Sequence, residues 1–392
     1  MALPAPEQLH PNPLTQVTLA DLRRRTSAKW RKYDPDVLPL WVAEMDVALA
    51  PPIREALEQA VAEGDLGYAA GDAYTEAFAS FAESRWGWSI APGQLTTVAD
   101  VITGYTDILC TVTEPGDQII VNSPVYPPFY SYLRAQGRVV TEAPLGEDLR
   151  LDLASLEESF AAATAGGSAA AYLLCNPHNP TGVTHTRAEL TRVAALADQY
   201  GVAVVSDEIH APLVYEGHAF VPYLSVPGGE SGFALHAASK SWNLAGIPAA
   251  IVVGGTGVTA ELARYARSAH HGPTHFGVLA QTVAYRDGEP WLDALLAGLD
   301  HNRRLLATLI DEHLAGAGYR LPEATYLTWI DCRELDIEGD PSAHFLEHAR
   351  VAVNSGPTFG TGGAGHVRLN IATHPEIITE AVRRMGASTH QG

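Results

Sequence analysis

Three polar side chains stand where apolar runs break off. The run 171–175 passes into Asn176, Pro177, His178, Asn179, Pro180, Thr181 and Gly182; the run 204–206 ends on Asp207; and the run 235–239 leads to Lys240. An amine, a carboxylate and an amide delivered to the ends of successive strands suit pyridoxal phosphate, an aldehyde cofactor built on a pyridine ring. The amine bonds the aldehyde, the carboxylate keeps the ring nitrogen protonated, and the amide donates to the ring oxygen. Each residue also has an ordinary reading. Lys240 could be a surface lysine, yet an apolar strand carries it into a stretch of small residues beside Asp207. A desolvated ammonium sheds its proton more easily than a guanidinium, as an attacking amine and later base must. Asp207 alone could cap a helix, and Asn179 could serve the turn between its two prolines while still donating its amide. Glu208, next to Asp207, points to the opposite face of an extended chain.

To converge, these residues need strands that end side by side. Segments 118–122, 169–175, 202–206, 233–237 and 249–253 read as short strands, with helix patterns over 103–112, 128–136 and 187–200 between or before them. Upstream, Pro51 and Pro52 open an amphipathic helix over 53–62, proline being tolerated in a first turn, and a second helix covers 74–86. Such alternation predicts a largely parallel sheet with helices on both faces and ligands at the carboxyl ends of its strands. After Pro290 come a long helix over 291–315, a strand at 327–331, a helix at 342–349 and an extended piece at 351–354. A glycine-rich loop at 356–365, a strand at 366–372 and a last helix follow. The expected organisation is a large α/β domain over 51–289 and a smaller α+β domain formed by 1–50 together with 290–392.

Composition narrows the partners. The 392 residues are 46% hydrophobic and 18% charged, an ordinary globular balance. Asp and Glu number 45 against 25 Lys and Arg, a formal charge of −20, which speaks against nucleic acid and anionic membranes. Arg23, Arg24, Arg25, Lys29, Arg31 and Lys32 form a basic patch early in the chain. Cys110, Cys175 and Cys332 match neither a zinc spacing nor a disulfide framework and read as buried, reduced thiols. The histidines form no metal-ligand cluster, so no metal is expected. No basic segment followed by an apolar one opens the chain, and no run reaches the ~18 apolar residues of a membrane span. A soluble, cytoplasmic protein is expected.

Several stretches carry a resemblance: 25–30 (Arg25 to Trp30), 38–46 (Leu38 to Asp46), Gly67 with Tyr68, 123–130, 176–182, 206–210 and 367–372. With them the chain resembles fold-type I pyridoxal phosphate enzymes of the class I/II aminotransferase superfamily, and more closely the cystathionine β-lyase (MalY/PatB-type C–S lyase) branch. The likeness spans roughly 20–385. It implies a seven-stranded, largely parallel sheet in the large domain and the α,β-elimination of cystathionine or a related S-substituted L-cysteine to pyruvate, ammonia and a thiol. An aminotransferase built on the same apparatus is the alternative, and a regulatory protein that binds the cofactor is a more distant one.

The resemblance also implies roles. Lys240 would bond the cofactor and then remove the Cα proton, Asp207 would pair with the ring nitrogen, Asn179 would reach the ring oxygen, and Tyr126 would stack on the ring or serve as a core tyrosine. His210 would assist near the cofactor or stand as a satisfied buried histidine. Backbone N–H groups of Val101, Ile102 and Thr103, where a helix begins, would hold the phosphate with the Ser239 hydroxyl. Tyr68 would reach across a homodimer interface to the partner's phosphate. Arg368 would clamp the substrate carboxylate with two parallel hydrogen bonds, its ordinary reading being a structural ion pair. Trp41, Val42 and Ala43 would line that end. Three departures stand out: Ala237 and Pro248 occupy positions where many relatives place phosphate-binding Ser and Arg, and Glu44 stands in place of Asp. His236, His270 or Arg267 could make up the missing anion grip.

Overall fold

Seven short strands make the main sheet: β1 (Leu95–Val98), β2 (Gln118–Val121), β3 (Val139–Glu142), β4 (Ala170–Cys175), β5 (Ala203–Asp207), β6 (Phe233–His236) and β7 (Ala250–Gly254). The computed structural model of the chain describes residues 11–268 and 272–389. Across the sheet the order is β1-β7-β6-β5-β4-β2-β3. Neighbours run parallel from β6 to β3, while β7 runs against both β6 and β1. The five strands expected from sequence lie within one residue of their predicted ends. The two that sequence misses, β1 and β3, are the sheet's edges, where partial exposure blurs the apolar pattern.

Helices cover both faces: α1 (Pro51–Glu63), α2 (Ala73–Trp86), α3 (Val101–Val112), α4 (Pro128–Ala135), α5 (Leu153–Ala163), α6 (Arg187–Tyr200), α7 (Thr259–Ser268), α8 (His275–Asp287), α9 (Glu289–His313) and α10 (Pro375–Ser388). The two-residue period of β4 explains its continuous apolar run. Ala171, Leu173 and Cys175 pack towards α3 and α4, and Tyr172 and Leu174 towards α5 and α6. Helix α3 lies close against β6, for a Cβ on Gly104 would sit 2.5 Å from Leu235 Cδ2. No helix among the described residues is long and apolar enough to cross a membrane.

A smaller antiparallel sheet holds β8 (Gly318–Tyr319), β9 (Leu327–Asp331), β10 (Asn354–Ser355) and β11 (His366–Asn370) in the order β10-β11-β9-β8. The helix expected over 342–349 is a single α-turn, Pro341–His344, widened into π geometry over Phe345–Ala349. Between the two sheets runs a strap over residues 38–46, bent at Val42 and Ala43, where Glu44 N–H donates to Val42 O at 2.8 Å. Leu38 and Pro39 pair in parallel with Val351 and Ala352, and Asp46 N–H donates to Ala372 O at 2.8 Å. Asn370 Nδ2 donates to the carbonyls of Val42 (2.7 Å) and Glu44 (2.8 Å). Lys29 does not belong to a basic surface patch, as its sequence neighbours suggested. It is buried beneath the strap, 2.7 Å from Asp46 Oδ2 and 2.9 Å from Glu44 O, while Trp30 Nε1 takes Asp46 Oδ1 at 2.9 Å. Cys175 and Cys332 are buried free thiols, but Cys110 is only half-buried, a correction to the expectation for all three.

Candidate active site

The carboxyl ends of β4 and β5 and the loop after β6 surround a cavity of about 430 Å³, lined by Ala43, Val101, Ile102, Thr103, Tyr126, Asn179, Asp207, His210, Ser239 and Lys240 among others. Asp207 faces it because Val205, two residues earlier, packs on the α3 side. Its Oδ1 accepts the Ile209 N–H at 3.2 Å, and among the described residues Oδ2 takes no hydrogen bond. Burial pushes this carboxyl up to about 7, against the pull of the Ile209 N–H and of Lys240. Glu208 turns the other way, as its neighbour's direction required, accepting from Ser206 Oγ (2.9 Å) and Tyr223 N–H (2.8 Å).

Lys240 Nζ lies 3.4 Å from Ala43 O. Burial, with Arg368 adding to it and Asp207 and Glu44 opposing, pushes its ammonium down to about 8. Arg368 is buried on β11; one terminal nitrogen donates to Asn179 Oδ1 (3.0 Å), the other to Trp41 O (3.1 Å) and Asn354 Oδ1 (2.7 Å). Its Nε is buried with no partner among the described residues, and Arg368 meets the cavity through Asn179, not by lining it. With its oxygen on Arg368, Asn179 keeps its NH₂ as a donor. Tyr126 is held neutral, pushed up to about 12 by burial and by Asp207. His210 is neutral too, pushed down to about 3 by burial, Lys240 and Arg368.

At the opposite end Asp100 caps α3: its Oδ1 accepts the Thr103 N–H and its Oδ2 the Thr103 hydroxyl, both at 2.9 Å. Thr103 therefore has its donors engaged, which leaves Val101 and Ile102 N–H and the Ser239 hydroxyl for an anion. His236 is no substitute grip. It faces the other side of the sheet, against Phe78 (ring centroids 4.7 Å apart) and 3.1 Å from Glu208. Arg267 is exposed on α7, and His270 lies outside the described residues. Trp41 and Val42 do not line the cavity; their carbonyls serve Arg368 and Asn370, and only Ala43 faces it. The Glu44 carboxylate accepts from Ser27 Oγ at 2.6 Å. Tyr68 is wholly exposed and does not line this chain's own cavity.

Sequence reasoning missed Tyr132, Cys175 and Ala245 in the lining, and Tyr326 just beyond it. Cys175 was open to inference, since it pairs in register with Asp207 and shares the face of Leu173. Tyr132 and Ala245 carry no such signal.

These residues fit pyridoxal phosphate. Asp207 is a buried carboxylate short of a cation, Lys240 an amine already inclined to be neutral, and the start of α3 offers N–H groups to a phosphate. The sequence profile of aminotransferase class I and II matches residues 35–385. The chain belongs to the class I and II aminotransferase family. Within that family it is 52% identical to a Mycobacterium tuberculosis protein provisionally named cystathionine beta-lyase, over 96% of this chain and 98% of that one. It is 32% identical to cystathionine beta-lyase PatB of Bacillus subtilis, over 92% and 96%. A crystal structure from Corynebacterium diphtheriae, provisionally described as a PLP-dependent beta-cystathionase, superposes with a TM-score of 0.88 at 34% identity, covering 96% of this chain and 99% of that one. The architecture is the family's fold type I.

Proposed function

We propose that the chain is a pyridoxal phosphate-dependent C–S β-lyase acting on cystathionine or related S-substituted L-cysteines. The observation that carries the reading is the convergence of the Lys240 amine and the Asp207 carboxylate on one cavity, whose Asn179 is held by the buried Arg368. The relatives named cystathionine beta-lyase support the choice of leaving group. Bound pyridoxal phosphate supplies an electron sink against which the Cα–H bond of an amino acid can break. Arg368 holds the substrate carboxylate, Asp207 keeps a negative charge at the ring nitrogen, and Tyr126 covers the ring face. Lys240 accepts the Cα proton. The C–S bond then breaks, the thiolate leaves as a thiol, and water completes the release of pyruvate and ammonia.

The reading extends to assembly. The chain works as a homodimer in the cytoplasm, with the large domain over 51–289, the small domain over 1–50 and 290–392, and Tyr68 reaching the partner subunit's phosphate. The exposure of Val61, Leu66 and Tyr68 in one short segment supports this. The test is a panel of S-substituted cysteines scored for equal release of pyruvate and thiol. Lys240→Ala should lose both turnover and the visible absorbance of the bound cofactor. Conversion of the cofactor to pyridoxamine phosphate without pyruvate would assign an aminotransferase instead.

A further inference from the structure

The carbonyl that meets Lys240 belongs to Ala43, and a second side chain shares it. The chain bends at Val42 and Ala43, where Glu44 N–H closes on Val42 O at 2.8 Å; Asn370 takes the carbonyls of Val42 and Glu44, and that of Ala43, a lining residue, is left to Lys240 and Tyr326. Lys240 Nζ donates to this oxygen at 3.4 Å and Tyr326 Oη donates to it at 3.1 Å. Tyr326 is buried, its ring edge-on to that of His210 at 6.1 Å.

An unusual backbone aims Tyr326. Thr325, just before it, has a φ of 67°, where β-branched residues rarely go. Its N–H donates to Leu213 O at 2.8 Å, its carbonyl accepts from the Tyr215 hydroxyl, and its Oγ1 accepts the Leu327 N–H at 3.0 Å. One turn earlier, Gly182 O accepts the N–H groups of Glu323 and Ala324, both at 2.8 Å. The approach is so tight that a Cβ on Gly182 would stand 2.4 Å from Pro322 Cβ. Strain of this kind persists only where the surroundings over-determine it, and it gathers at working sites.

We propose that Tyr326 is a positioning residue for Lys240: its hydroxyl occupies part of the Ala43 carbonyl, so that this oxygen steers the free amine without gripping it as an ammonium. An acceptor left wholly to Lys240 would favour the charged form, which a hydrogen bond to the charge stabilises. The amine set free when substrate enters has to be neutral to accept the Cα proton. The charged and titratable groups facing Lys240 are Asp207 at the end of β5, Arg368 on β11, Glu44 on the strap and His210 beyond β5; Tyr326 faces Arg368, Glu44 and Tyr126. None of these shares the Ala43 oxygen, so the hydroxyl's effect is separable from theirs. The inference rests on Lys240 being the amine of the proposed reaction.

The test uses the full-length apoprotein, in which the pH dependence of acetylation at Lys240, read by mass spectrometry, reports the titration of the free amine. Tyr326→Phe keeps the ring and removes the hydroxyl. At a fixed pH below the midpoint its neutral fraction should fall roughly three- to tenfold, the share that one competing hydrogen bond to a charged group commands. The acid limb of kcat in the reloaded enzyme should move up in pH with KM unchanged. If that variant does not fold, 3-fluorotyrosine at position 326, a stronger donor, should move the midpoint down instead. A Lys240 titration that stays in place overturns the inference, even where turnover falls, because a merely structural role gives that result. Failure of the lyase reading is distinct: no thiol released from any S-substituted cysteine leaves the apoprotein titration untouched.

Discussion

Burial raises the proton affinity of Asp207 so far that its carboxyl titrates at about 7 instead of 3.8, and it does so with no partner for Oδ2 among the described residues. Between those two values the folded apoprotein binds more protons than the unfolded chain, so its stability falls as pH rises through that window. Asp207→Asn should therefore stabilise the apoprotein at pH 8 by on the order of a few kcal/mol, with the difference vanishing below about pH 4. The same variant should hold pyridoxal phosphate far more weakly. Thermal melts of both apoproteins across pH, beside a cofactor titration, check this; an apoprotein variant no more stable than its parent at pH 8 would count against the account. Lys240, Asp207 and Asn179 were legible because each closes an apolar run. Tyr326 was not, because its aim depends on a left-handed conformation at Thr325, where sequence would call for Gly or Asn.

The strap over 38–46 presents the Ala43 carbonyl, and Lys29 with Asp46 anchors it from beneath. Lys29→Met leaves a buried carboxylate without its cation and should cost about 3–5 kcal/mol, whereas adding Asp46→Leu should recover most of the loss. Urea unfolding of the single and double variants measures both; equal destabilisation by the two would show that the pair itself, not the orphaned charge, matters. Sequence grouped Lys29 with its basic neighbours because its partner lies 17 residues away and only the fold brings them together. The paired central strands were readable to within a residue. Helix α5 was missed although Asp152 caps it, because its buried stripe is only Leu156, Phe160 and Ala163, while Ala154, Ala161 and Ala162 lie exposed and blur the period. The edge strands gave less still, being half-exposed and short.

At the scale of the whole molecule, Val61, Leu66 and Tyr68 are 62%, 71% and 100% exposed within eight residues, an apolar segment without cover in the single chain. A second copy of the chain is the expected cover. Leu66→Asp should yield monomers in sedimentation, and Tyr68→Phe should keep the dimer while weakening cofactor binding roughly tenfold, as for one hydrogen bond to a charged group. A stable monomer that binds the cofactor as tightly as its parent would refute the arrangement. The two-sheet organisation could be read from the change of pattern after Pro290, but assembly leaves no mark on composition, and the proposed phosphate end could be read only in part, from the start of α3 and Ser239, because Ala237 and Pro248 replace residues that would have announced the rest.

Strand β7 runs backwards through the sheet, so it enters beside the cavity where its neighbours leave, and Pro248 and Ala249 on its approach form part of the wall. The wall on that side is the far end of the same connection that carries Lys240, and it lies apart in the chain from the exits of Asn179 and Asp207. Substitutions at 245–249 can recut the cleft while Asn179 and Asp207 stay anchored on other strands, which makes this stretch the natural place for descendants of the chain to acquire new appetites.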